Sequence, residues 1–271
     1  MLYFSPAFTI AWCLIAALLG ASAGSFLNCV VWRRLHGESP WAGRSHCDLC
    51  GHVLGPRDLV PLLSWLFAKG RCRYCGEKLD AGHLRAEAAG AVAFVGILLC
   101  YDFSLQTLEY FLFAGVLLLC SLSDLADCTI PDGALLFGAG VWLVFLPWRG
   151  ELWTTVLDGL IGGIGVGGGL LLLVLLYEKI KKTEAMGGGD IKLLALTGLF
   201  LGWKRNILCL LLACILGILF GLIQMKKSAA VDGDDENDSK LFPWGPSICA
   251  AAWLCLLGGR GFLDLYLGLF S

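Results

Sequence analysis

Charge is scarce in this sequence. Asp, Glu, Lys and Arg make up 15% of its 271 residues, 58% are hydrophobic, and the mean hydropathy is +0.76. Average soluble domains carry about a quarter charged residues and roughly 45–50% apolar ones. A soluble globular class is thereby excluded. The net charge of −2 singles out no partner, and no nucleic acid is expected as one. Histidine is also sparse: His36, His46, His52 and His83 are the only four, and none stands in an H-E-x-x-H sequence. That excludes the zinc protease class built on this motif. All four fall in one basic loop, where surface or ligand-supporting roles are expected rather than ligation. No internal repeat is visible, which argues against a transporter assembled from inverted halves. The first apolar run has no basic segment before it. "ASAG" (21–24) resembles a signal-cleavage site, but apolar residues continue to Trp32, so an uncleaved span is expected.

What is present is a succession of long apolar runs. Eight candidate spans are read at roughly 7–31, 86–101, 106–123, 133–147, 153–177, 191–203, 207–225 and 247–269. The sixth is short for a full crossing and the fourth is marginal. The expected class is an all-α polytopic membrane protein with about eight transmembrane helices. Sixteen of the twenty Lys and Arg residues fall in or flank the loops after spans one, five and seven; Arg149, Lys204, Arg205 and Arg260 fall on the other side. The positive-inside rule makes the richer side cytoplasmic and puts both termini outside.

Residues 33–85 form the only loop large enough to be a small domain. Cys47, Cys50, Cys72 and Cys75 give the pattern C-x2-C-x21-C-x2-C. Each C-x2-C turn lets two thiolates reach one ion, and two such turns complete a tetrahedral sulfur site that suits zinc. A loop this short has little core of its own, so a metal staple makes physical sense. Two disulfides or four free thiols are the other readings, and a reducing cytoplasm disfavours the disulfides. The other nine cysteines lie mostly in spans, where Cys behaves as a small hydrophobe. The domain reading is therefore a first span (1–32), a zinc-stabilised cytoplasmic loop domain (33–85) and a transmembrane core (86–271). The core carries an acidic linker at 228–241, whose tract "VDGDDEND" (231–238) reads as solvated chain. Gly163-x-Gly165-x-x-Gly168 fits a dinucleotide fingerprint but lies inside an apolar span without a βα pattern, so it is rejected.

Two aspartates stand at span ends. Asp124 closes span three in "CSLSDLADCTIPDG" (120–133), with Asp127 and Asp132 just beyond. Asp190 opens span six in "MGGGDIKLLAL" (186–196), behind Gly187, Gly188 and Gly189. By the charge rule both ends lie on the cytoplasmic side. Two carboxyls in close contact share a proton, so one acts as general base on water while the other polarises a peptide carbonyl. The glycines permit close approach of an extended peptide. Spacing alone leaves ordinary helix capping open as the other reading, for Asp190 before Ile191 above all.

At these residues the chain resembles the type IV prepilin leader peptidase family, the GxGD-type membrane aspartic peptidases. The resemblance is carried in order by "GSFLNCVVWRRL" (24–35), by "SHCDLCGH" with "VPLLSWLFAKGRCRYCGEKL", by "SDLADCTIPD", by "MGGGDIKLLA" and by "FPWGPSICA" (242–250). It implies two reactions in the bacterial inner membrane. The leader of type IV prepilins or pseudopilins is removed at the cytoplasmic face, and the new N-terminal amine is methylated from S-adenosylmethionine. It implies Asp124 and Asp190 as the catalytic pair and Cys47, Cys50, Cys72 and Cys75 as ligands of a structural zinc. The loop domain then belongs to methyl transfer and the core to proteolysis; the donor's binding residues do not follow. A peptidase without methyl transfer, and a transporter with a regulatory zinc loop, are the alternatives.

Overall fold

The computed structural model describes residues 2, 5–39, 43–47, 49–182, 186–229 and 243–268. The acidic tract 231–238 and the expected linker beyond Ala229 lie outside the described residues. Among the described residues the regular structure is helical, with only two isolated bridges, His46 with Val53 and Arg71 with Lys78. The chain forms two compact units, Met1–Leu122 and Ser123–Ser271.

The first unit is built on α1 (Pro6–Leu35) and α3 (Ala81–Tyr101), with α2 (Leu63–Phe67) in the loop between them. Helix α1 starts where Ser5 Oγ accepts the Phe8 N–H at 3.2 Å and Pro6 takes the first helical position, where its missing N–H costs nothing. Its outward side chains are apolar, including Ile10, Leu14 and Leu19. A helix without a polar face suits lipid. Helices α1 and α3 touch backbone to backbone: a Cβ on Gly20 would strike the Gly90 carbonyl, one on Gly90 the Gly20 carbonyl, and one on Gly24 the Ala86 carbonyl. Small residues allow such close approach between membrane helices. Helix α4 (Leu105–Asp127) packs on α3 through Phe94 stacked on Phe111 at 4.3 Å and Tyr101 edge-on to Tyr110 at 4.6 Å.

The second unit holds α5 (Asp132–Phe145), α6 (Leu152–Leu160), α7 (Gly167–Lys181), α8 (Gly188–Ala229) and α9 (Gly245–Gly268). A π-helical turn, Ile161–Val166, joins α6 to α7. Gly163, Gly165 and Gly168 of the rejected fingerprint lie in this turn and at the start of α7, far from any βα geometry. Helix α8 is broken at Gly202, whose φ of 74° and ψ of 171° are not helical. A Cβ there would collide with the Asp158 carboxylate, so the position needs glycine on two counts. Asn206 ties the π turn to the two sides of the bend. Its Nδ2 donates to the Gly162 and Leu194 carbonyls at 2.9 and 3.1 Å, while the Thr197 hydroxyl donates to its Oδ1 at 2.8 Å. Both side chains are fully buried, as polar groups at membrane depth must be.

Every expected apolar segment is helical among its described residues. Among the described residues, five helices are long and apolar enough to cross a membrane: Pro6–Leu35, Ala81–Tyr101, Leu105–Asp127, Leu152–Lys181 and Gly188–Ile223. The chain is a polytopic all-α membrane protein. The sixth and seventh expected spans form one helix with the break at Gly202. The fourth is the 14-residue α5, about 21 Å long at 1.5 Å per residue and short of a roughly 30 Å hydrocarbon core.

Candidate functional site

Asp124 lies one turn before the end of α4 and is 4% exposed. Its Oδ2 accepts the Gly245 N–H at 2.8 Å. Three features aim that N–H. Gly245 opens α9, so its amide is one of the unpaired donors of a helix start. Trp244 before it is pinned to α8 by its indole N–H, which donates to the Ala213 carbonyl at 3.2 Å. The indole lies against Gly217, where a Cβ would come within 2.7 Å of Nε1.

Asp190 sits in the first turn of α8, half-buried, with its own N–H donating to the Gly187 carbonyl at 3.2 Å. Its Oδ1 is buried and makes no hydrogen bond. A Cβ on Gly189 would sit 3.1 Å from Ile130 Cβ, so the start of α8 lies against the segment between α4 and α5. The Asp124 and Asp190 carboxyls are close enough to interact electrostatically. Cys128, just past α4, feels both. Partial desolvation pushes its thiol up first, and the charges of Asp124, Asp127 and Asp190 add to that.

The two neighbouring acids have local work. Asp127 Oδ1 accepts the Thr129 hydroxyl at 2.7 Å and the Thr129 N–H at 3.3 Å, closing the turn after α4. Asp132 is exposed and pairs with Lys192 Nζ at 2.7 Å.

In the first unit the four sequence-predicted thiols do come together. The Sγ atoms of Cys47, Cys50, Cys72 and Cys75 all lie within 4.8 Å of one another. They are presented by two turns of the same design. In the first, Cys47 N–H donates to the His52 carbonyl at 2.9 Å and Gly51 N–H to the Cys47 carbonyl at 2.8 Å. In the second, Cys72 N–H donates to Glu77 at 2.8 Å and Gly76 N–H to Cys72 at 2.9 Å. Gly51 and Gly76 both take positive φ, 69° and 76°. His52 stacks on Tyr74 with ring centroids 3.6 Å apart, tying one turn to the other.

The donor chemistry fits a thiophilic dication. Backbone N–H groups of Cys75 and Tyr74 hold the Cys72 thiol down at about 7. Cys75 also receives a backbone N–H, from Glu77, yet desolvation and the crowding thiols of Cys72, Cys50 and Cys47 push it up to about 11. The Cys72 thiolate forms easily and the Cys75 thiolate resists, a resistance that a bound cation reverses. The histidines stay outside the cluster as expected: His36 stacks on Trp32 at 3.9 Å, and His83 Nδ1 accepts from Asn28 Nδ2 at 2.8 Å.

Sequence reasoning missed Gly245 as a site residue. The only signal was "PWGP", which marks a constrained turn without saying what its amide meets. It also missed Glu87, whose Oε2 accepts the Leu62 N–H at 2.6 Å and anchors the loop to α3.

Residues 18–101 match the bacterial peptidase A24 N-terminal domain family, and residues 111–222 match the type IV leader peptidase family. The chain is 33% identical over 237 residues to a prepilin leader peptidase/N-methyltransferase of Aeromonas salmonicida, covering 83% of this chain and 74% of the relative. It is 29% identical over 269 residues to one from Pseudomonas putida, with 90% of each chain covered. A Bacillus subtilis relative of the same name is 29% identical over 255 residues, covering 93% of this chain and 97% of its own. No solved structure matches.

Proposed function

The chain belongs to the type IV prepilin leader peptidase family, and from that premise we propose how its residues carry two reactions. The protein is a bifunctional membrane enzyme, an endopeptidase acting on prepilin-type substrates and an N-methyltransferase. Asp124 and Asp190 are the catalytic pair, the role the family resemblance implies. The observation that supports this reading is that two carboxyls from distant helices lie within electrostatic reach of each other: one is 4% exposed, and the other has a buried oxygen without a partner. An unsatisfied buried carboxyl oxygen in a native site calls for an explanation: ionised, it accepts from a water, and protonated, it donates to a scissile carbonyl.

The chemistry follows from a pair that shares one proton. The ionised carboxylate takes a proton from water as the oxygen forms its bond to the peptide carbon. The protonated partner donates to the carbonyl oxygen. Collapse of the tetrahedral intermediate breaks the C–N bond, and a proton returned from the pair leaves with the amine. The Gly245 N–H holds Asp124 in one orientation throughout.

Cys47, Cys50, Cys72 and Cys75 hold a structural zinc, which cross-links a loop too short to make a core. S-adenosylmethionine would supply an electrophilic methyl group: the new amine would gain it and lose a proton, as the S–CH3 bond breaks and the neutral thioether leaves. The charge distribution supports a catalytic face in the cytoplasm of the bacterial inner membrane and both termini outside. Substrates are type IV prepilins or pseudopilins. Their apolar N-terminal helix lies in the lipid and their basic leader outside it, which brings the scissile bond to the interface level of Asp124 and Asp190.

The test incubates the purified full-length protein with a prepilin and a methyl-labelled donor. Leader loss with label in the mature N-terminus is expected, and Asp124→Asn and Asp190→Asn each abolish leader loss. Leader loss without label in the wild type leaves only the peptidase. Cleavage that survives both substitutions removes the catalytic pair from the reading.

A further inference from the structure

We propose that the methyl donor binds in a cavity of the first unit, between the C-terminal half of α1, the start of α3 and the cysteine turns. The proposal rests on the methyltransferase reading above and gives it a location.

The cavity holds about 450 Å³. That falls within the range of roughly 300–1,000 Å³ usual for small-molecule sites. Its wall combines three kinds of group. Trp32, Trp65 and Tyr74 line it with aromatic faces. Arg33 and Glu87 place a cation and an anion in the same wall, and both are buried, at 6% and 8% exposure. The indole N–H of Trp65 is buried and makes no hydrogen bond. Arg33 already donates to the Gly43 carbonyl at 3.2 Å and Glu87 accepts the Leu62 N–H at 2.6 Å, so the Trp65 N–H is the wall's unanswered donor. A buried donor is costly to leave unpaired, and a ligand with an acceptor and a cation fits this wall.

A sulfonium nucleoside amino acid does so. Its alkylated cation is attracted to aromatic faces, as quaternary ammonium groups are, and to the Glu87 carboxylate. Its own carboxylate suits Arg33. Its purine offers acceptors for the Trp65 N–H and a flat face for stacking. The mature prepilin amine is the other occupant to consider. It carries a positive charge but neither a purine to stack in the wall and accept the Trp65 N–H nor a carboxylate beside that charge, so the donor is favoured.

The wall is also held in shape. Trp65 lies against Gly70, where a Cβ would come within 2.8 Å of the indole, and Gly70 has a φ of 67°. The Leu62 amide is fixed to Glu87, and Leu62 itself has a φ of 62°, an uncommon conformation for a side chain of its size. Asp58, also in the wall, is engaged by Arg73 at 3.3 Å and the Tyr74 hydroxyl at 3.0 Å, and holds the second cysteine turn in place.

The experiment uses the zinc-loaded full-length protein. First, S-adenosylmethionine and its neutral thioether product are titrated separately and their Kd values compared. Trp65→Ala is expected to weaken donor binding about tenfold, with Trp65→Phe intermediate. Glu87→Gln is expected to weaken the cationic donor about tenfold more than the neutral product, a change of ratio that loss of structure does not produce. Zinc content and leader cleavage serve as folding controls.

Second, a photoreactive derivative of the donor is cross-linked to the wild-type chain and mapped by mass spectrometry. Label is expected on peptides spanning 25–33, 58–74 or 79–87. Because this arm needs no variant, it decides the question even where a substitution costs the zinc. Donor binding with label elsewhere overturns the location while leaving methyl transfer intact. Label from a photoreactive prepilin N-terminus in this cavity, with donor label outside it, assigns the cavity to the amine instead. A wild type that neither binds the donor nor transfers label overturns the methyltransferase reading and the location with it.

Discussion

Replacing Gly245 with alanine tests the peptidase geometry at one atom. Gly245 takes an ordinary backbone conformation, being absent from the positive-φ residues of the chain. Alanine is therefore not strained by its own backbone. Its Cβ, however, would sit 2.8 Å from Asp124 Oδ2, 3.0 Å from Cγ and 3.1 Å from Cβ. Trp244 is held to α8 through the Ala213 carbonyl, so the carboxylate gives way rather than the turn. The cost is the 2.8 Å charge-assisted hydrogen bond, worth about 1.5–3 kcal/mol. At roughly 1.4 kcal/mol per decade that is a ten- to hundredfold loss in kcat. Prepilin KM should change little, because this contact does not reach the transmembrane part of the substrate. The assay is single-turnover leader cleavage in detergent, with methyl transfer to a synthetic mature N-terminus measured alongside. Normal methyl transfer with slowed cleavage is expected. A Gly245→Ala protein that cleaves at the wild-type rate would refute the claim that this amide orients Asp124.

Other consequences follow from the same contacts. Asn206→Leu should lower the apparent Tm in detergent. It leaves the Gly162 carbonyl without its side-chain donor, at a cost of about 1–3 kcal/mol, while the Leu194 carbonyl keeps the Thr197 hydroxyl at 2.9 Å. Lys192→Ala should change stability by at most about 1 kcal/mol, since its pairing with Asp132 is exposed; a larger fall in denaturation free energy would contradict that. Chelation, or Cys72→Ser, should release the metal and open the loop, seen as rapid protease cleavage between Arg44 and Lys78 while the helices stay protected. Acidification should do the same. The Cys72 thiol titrates near 7 in the fold against 9.0 for the ordinary group, so its stabilising effect is full above pH 9 and fades as pH falls through about 7. Tightly bound metal moves this window lower still, and metal release followed against pH measures it.

Some of this architecture was legible in the sequence and some was not, for identifiable reasons. Long apolar runs announce helices because lipid leaves the backbone no other choice. The paired C-x2-C spacing announces the knuckles because two thiols three residues apart on a turn face the same point. The break between the sixth and seventh expected spans was placed close to Gly202, since charged Lys204 and Arg205 interrupt the run there. What stayed hidden depends on chains returning from far away. The Gly245 amide reaches Asp124 across 121 residues, and no local pattern encodes that meeting. The π turn at Ile161–Val166 was equally invisible, because its glycine-rich stretch reads the same in an ordinary helix. Asp127 and Asp132 stand beside Asp124 in the sequence with nothing to tell their roles apart; in the fold one closes its own turn and the other is paired with Lys192.

The crossing of α1 and α3 has an effect on how the chain tolerates change. The window formed by Gly20, Gly24 and Gly90 admits no side chain, and it exists at only one angular setting of each helix. Inserting a single residue upstream of the window would turn the lipid-anchored part of a helix by about 100° relative to it and bring a leucine or phenylalanine to the point of contact. Length variation in this half of the molecule is therefore confined to the stretch between the two helices, where an extra residue lengthens a loop without moving a backbone that has nowhere to go.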